Sequence, residues 1–159
     1  MNLSKFSFCL GHEDPDVVRK GLDSFVDQVL QEHDAVDTFG YFGRSTYARE
    51  TDDGSLLGKS TSPVSGLLRA YITTSSSCEE LFTLWGVLGR DDDIELCVAH
   101  MRCFATILHC SSNNQPGFVD NIVTRLIHER GRSIQQQLNS SKIPLIHSTM
   151  GLLIAMMAS

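Results

Sequence analysis

Positive charge is in short supply in this chain. Its 159 residues include 13 Lys and Arg against 19 Asp and Glu, a formal net charge of −6. A field of that sign opposes polyanions, which excludes a general nucleic-acid binder held by electrostatics; any RNA or DNA contact has to be local. Long apolar runs are lacking too. The longest, Met150 to Ala158, is nine residues, about half of the roughly 20 that a membrane span needs, and it reads as a buried helix. The amino-terminal stretch passes Phe6, Phe8 and Leu10 but meets Gly11, His12, Glu13 and Asp14 before a signal core can develop, so no secretory signal is read. Also missing are a GxSxG elbow, a GxxxxGKS or GxxxxGKT phosphate loop, GxGxxG after a strand, and HExxH. The chain therefore reads as non-enzymatic, with no cofactor and no small-molecule substrate.

Strict strand alternation is hard to find, whereas helical periodicity appears in six places. Asp14 as N-cap and Pro15 at the first helical position open the first helix, expected over 14–32, with Val18, Leu22, Phe25, Val26, Val29 and Leu30 as its apolar stripe. From 33 to 61 the pattern dissolves into Gly, Ser, Thr and Asp, the composition of a long flexible loop. Ser62-Pro63 starts a second helix through Leu67, Leu68, Tyr71 and Ile72. Ser77 and Glu80 have capping-box spacing for a third, which carries Leu81, Phe82, Trp85 and Leu88. Asp91 to Asp93 precede a fourth, from Ile94 to Leu108. Phe118 to Ile127 make a fifth, which Gly131 is expected to divide from a short turn carrying Ile134 and Leu138. The last helix follows Asn139-Ser140-Ser141; being apolar nearly all round, it expects neighbours on several sides.

Hydrophobic residues at 42%, charged residues at 20% and a mean hydropathy of −0.06 describe a soluble, foldable chain of single-domain size. The expected fold is all-α, an armadillo/HEAT-like right-handed helical repeat, or α-solenoid, segment over 62–159 with one long flexible loop before it. Starts near Cys78 and Phe118, and near Asp92 and Arg132, are about forty residues apart, the period of such repeats. The final helix lacks the polar outer face of a capping repeat, so the segment is expected to continue in a longer parent chain.

Five cysteines, an odd number, are read as reduced thiols. Cys97, His100, Cys103, His109 and Cys110 are zinc-ligand types on one helix, yet the helical wheel spreads them too widely to wrap one ion, and no CxxC or HxxxH spacing supplies the rest. Small buried thiols between packed helices are preferred. The loop residues Tyr41, Phe42 and Arg44 could stack on single-stranded RNA, and Arg125, Arg130 and Arg132 form a modest basic patch. These six are the candidate RNA or partner contacts. The plainer readings are a loop whose aromatics dock on the helices and a solvated helix end.

Gly21-Leu22 with Phe25-Val26, then Tyr71-Ile72, Cys78, Phe82, Phe104 and Ile107-Leu108, then Asn121-Ile122-Val123, Leu126, Leu138, Leu145, Leu152 and Ala155-Met156 follow one another in a familiar order. In these positions the chain resembles the N-terminal region of the nucleolar pre-ribosomal-associated protein 1 family over roughly 17–32 and 64–158. The resemblance implies an armadillo-like, non-enzymatic scaffold in the nucleolus, acting in large-subunit pre-rRNA maturation with protein assembly factors of pre-60S particles and, indirectly or locally, pre-rRNA. It carries over no site residue, because the matched positions are packing positions. A generic helical-repeat adaptor unrelated to ribosomes is the alternative reading, and a thiol-dependent enzyme the third.

Overall fold

The computed structural model describes residues 1–33, 66–75, 78–87, 93–111 and 115–158, and among them every regular element is a helix. The expected loop over 33–61, with Tyr41, Phe42 and Arg44, and the start at Ser62-Pro63 lie outside the described residues, apart from His33 at the end of a helix. In chain order the elements are α1 (Leu3–Leu10), α2 (Pro15–His33), α3 (Gly66–Thr74), α4 (Glu79–Val87), α5 (Ile94–Ser111), α6 (Pro116–Leu138) and α7 (Ile143–Ala158). No helix among the described residues is long and apolar enough to cross a membrane.

Local chemistry accounts for most boundaries. The Asp14 side chain accepts from the Asp16 amide at 2.9 Å and Pro15 occupies the first position of α2. Asp93 accepts from the Leu96 amide at 3.2 Å at the start of α5. Glu32, on α2, accepts from the Leu67 amide at 3.3 Å, placing a carboxylate at the positive end of α3. Ser77 lies outside the described residues; the first carbonyl of α4 to accept is that of Cys78, from the Phe82 amide at 3.1 Å. Cys78 has a φ of 52°, in the left-handed region that costs an L-residue about 1 kcal/mol, and burial of its side chain holds it there.

Two expectations change. A two-turn helix, α1, is present where no periodicity is visible, because only Phe6 and Leu10 of it are buried, too few to mark a pattern. Gly131 divides nothing: α6 runs unbroken through it to Leu138. The stripe Val119, Ile122 and Leu126 is continued by buried Ile134 and Gln137, and that burial outweighs the roughly 1 kcal/mol that a glycine costs within a helix. The repeat start near Arg132 therefore falls inside a helix, and the forty-residue period is not kept there. The last helix, expected to have neighbours on several sides, lies against α5 and α6, and the helix enclosed on nearly all sides is α5.

Thirteen of the 18 residues of α5 are buried. It packs most extensively against α2 on one side and α7 on the other, with α4 and α6 also in contact. Cys97, Ala99, Cys103, Ala105 and Cys110 are buried and small, so neighbouring helices can approach on several faces. α7, covered by α5 and α6, leaves Ile143, Met150 and Met157 exposed. Two aromatic groups tie the remaining helices in. Phe6 stacks on Phe25 at 4.3 Å, with Tyr71 edge-on to both, joining α1, α2 and α3. Phe82 and Trp85 meet Phe104 at 4.8 and 5.6 Å, joining α4 to α5.

α1 and α2 approach closely where a Cβ on Gly21 would run into Cys9 Cβ. Gly21→Ala is normally favourable within a helix, by up to about 1 kcal/mol. Here it should destabilise the fold by about 1–3 kcal/mol. Cys9→Gly in the same chain should recover much of the loss, as measured by urea unfolding of the single and double variants; a stabilising Gly21→Ala would contradict the close packing of α1.

Candidate functional site

Side chains from three helices converge on the junction of α4, α5 and α6. Phe82 and Trp85, three residues apart on α4, face Phe104 and His100 of α5, and two arginines of α6 cover the aromatic rings. The Arg125 guanidinium lies 4.1 Å from the centroid of Phe82 and that of Arg130 lies 5.2 Å from the centroid of Trp85. Both are at cation–π distance.

Arg125 is also held by carboxylates. It donates to Glu79 at 2.8 Å and, through two nitrogens, to Glu129 at 2.5 and 3.2 Å. These hydrogen bonds raise the Arg125 pKa and lower that of Glu129. With two carboxylates on it, Arg125 acts as a clip between α4 and α6. Of the candidate basic residues, Arg125 and Arg130 are brought to this seam, whereas Arg132 stands exposed further along α6. Sequence reading missed the pairing because it lies in the relation between helices; its visible trace is the i,i+4 spacing of Arg125 and Glu129.

His100 is the unusual member. It is 2% exposed, its ring lies nearly parallel to Trp85 at 6.1 Å between centroids, and neither ring nitrogen has a hydrogen-bond partner among the described residues. Burial, with Arg130 nearby, pushes its pKa down to about 4. Four of the five cysteines, Cys78, Cys97, Cys103 and Cys110, are equally withdrawn. Burial pushes the Cys78 thiol up to about 12 and that of Cys103 well above its ordinary value. Such groups are thiols, not thiolates, at neutral pH and are poor nucleophiles. Among the described residues, no group of three or more His, Cys, Asp or Glu is placed to hold a metal ion.

A model of the family described as ribosome 60S biogenesis N-terminal (Npa1) matches residues 78–159, just over half of the chain. The chain belongs to the Npa1 family. No curated protein and no solved structure matches it. The Npa1 match begins at Cys78 and takes in α4 to α7, so every side chain of the aromatic seam and both arginines over it fall inside the matched span. The residues of α2 and α3 that carry the resemblance, among them Gly21 and Tyr71, lie outside it. Membership of Npa1 connects the chain with biogenesis of the 60S ribosomal subunit.

The neutral state of His100 sets a pH dependence. In the unfolded chain the imidazole binds its proton near 6.5; in the fold it does so only near 4. As pH falls through this interval the unfolded state holds more protons, so stability falls, by up to roughly 3 kcal/mol. His100→Leu should flatten the stability profile between pH 6.5 and 4 in thermal or urea unfolding without loss at neutral pH, since it removes an unpartnered polar group. An unchanged profile would assign the acid sensitivity to other groups.

Proposed function

We propose that this chain is a non-enzymatic scaffold segment acting in early pre-rRNA processing for the large ribosomal subunit, located in the nucleolus and working through protein assembly factors of pre-60S particles. The Npa1 match over α4 to α7 carries this reading, because it spans four consecutive helices of one packed unit. A scaffold role is supported by the character of those helices: Arg125 clips α4 to α6, His100 lies buried, and burial keeps the thiols of Cys78 and Cys103 protonated at neutral pH. Any pre-rRNA contact is local or indirect, given the net charge of −6 and the carboxylates already bound to Arg125.

An armadillo/HEAT-like arrangement belongs to the same proposal. α5 lies against α2 and α7, while α4 and α6 pair with α5 and α7. Helical hairpins stacked in two layers would make these contacts. The irregular spacing of helix starts makes it a degenerate repeat rather than a periodic one.

Sedimentation of the tagged protein from cells tests the reading. It should cofractionate with pre-60S particles, and its depletion should cause large-subunit rRNA precursors to accumulate. Sedimentation apart from such particles, with normal precursor levels, would leave it a helical adaptor unconnected with early 60S assembly.

A further inference from the structure

A groove runs between the end of α1 and the first turns of α4. One depression is lined by Ser7, Leu10, Gly11, Glu80, Thr83 and Leu84, with Glu79 at its edge, and a second by Ser7, Phe8, Gly11, His12 and Glu13. They share Ser7 and Gly11; Leu10 and Leu84 give the first its apolar floor, and Phe8, 67% exposed, lines the second. The α4 side lies within the Npa1 match and the α1 side outside it.

The rim of this apolar floor is anionic for three separate reasons. Glu79 and Glu80 occupy the first turn of α4; Glu79 is engaged by Arg125, but Glu80 is exposed and has no cationic partner among the described residues. Glu13 is likewise exposed and uncompensated there. The last turn of α1 contains no basic residue, so the negative end of that helix is left at Gly11 without a counter-charge of its own. The chain's net charge of −6 adds an attractive long-range field for cations.

We propose that this groove docks a basic protein segment, seating an apolar side chain between Leu10 and Leu84 while flanking Lys or Arg residues meet Glu80, Glu13 and the end of α1. An apolar contact gives the anchor, and the charges give register and association rate. A nucleic acid would meet like charge at Glu13, Glu79 and Glu80. The inference goes beyond the ribosomal reading and stands or falls separately from it, since it concerns only the surface of this chain.

The test uses the full chain and a short synthetic peptide in which leucines are flanked by lysines and arginines. Amide chemical-shift changes should concentrate on Ser7 to Gly11 and on Glu80 to Leu84. In fluorescence anisotropy, Glu80→Lys should weaken binding roughly tenfold. Replacing the peptide leucines by serine should weaken it by a similar factor. Glu80→Gln gives the same direction with less effect, and because Glu80 is exposed neither variant removes a core contact. Equal binding of Glu80→Lys, equal binding of the serine peptide, shift changes elsewhere, or displacement of the peptide by single-stranded RNA at the groove would each overturn the proposal.

Discussion

The enclosure of α5 by its neighbours is the constraint on which the rest of the structure depends. A helix buried on nearly all sides cannot be lined only with large side chains, because helices packed against it must come within contact distance at several angles. In α5 the requirement is met by Cys97, Ala99, Cys103, Ala105 and Cys110, interleaved with Met101, Phe104, Ile107 and Leu108. Among the large residues, Phe104 meets Phe82 and Trp85 of α4 and Met101 accepts from the Thr149 hydroxyl of α7 at 3.2 Å, while the small ones permit close approach. The cysteines that suggest a metal site by residue type thus find their use as small, apolar spacers.

Polar groups near this core serve chiefly to orient helices. Arg102 of α5 donates to Asp23 of α2 at 3.2 Å, and Arg19 reaches Asp23 and Glu95, a network spanning the α2–α5 contact at its partly exposed edge. Each such pair contributes little alone. Two arginines of α6, Arg125 and Arg130, differ in that each covers an aromatic ring, and at Arg125 ion pairing and apolar area act at one place. Two carboxylates on Arg125 reduce its capacity to hold a phosphate.

Helices with a buried stripe and a capping residue were legible in the sequence: Asp14-Pro15 with Val18, Leu22 and Phe25, and Ile94 to Leu108, need only local spacing to be recognised. Where a boundary was misread, a tertiary contact decided the outcome. Ile134 and Gln137 carry α6 through Gly131 because α7 lies beside them, and α1 exists because Phe6 finds Phe25 and Tyr71. The apolar character of α7 signals a need for neighbours, which α5 and α6 supply, whereas the small residues of α5 record the close approach of the helices around it. The aromatic seam was invisible for the same reason: Trp85, His100 and Arg130 come from three elements, and nothing in their separate spacings connects them.

Residue-resolved hydrogen exchange of the full chain under native conditions tests the central place of α5 most directly. Amides from Leu96 to Leu108 should exchange slowest and only through global unfolding, while those of α1, which contributes two buried side chains, should open earlier by local fluctuation. Exchange of α5 as fast as that of α1, with α7 the most protected, would contradict the account.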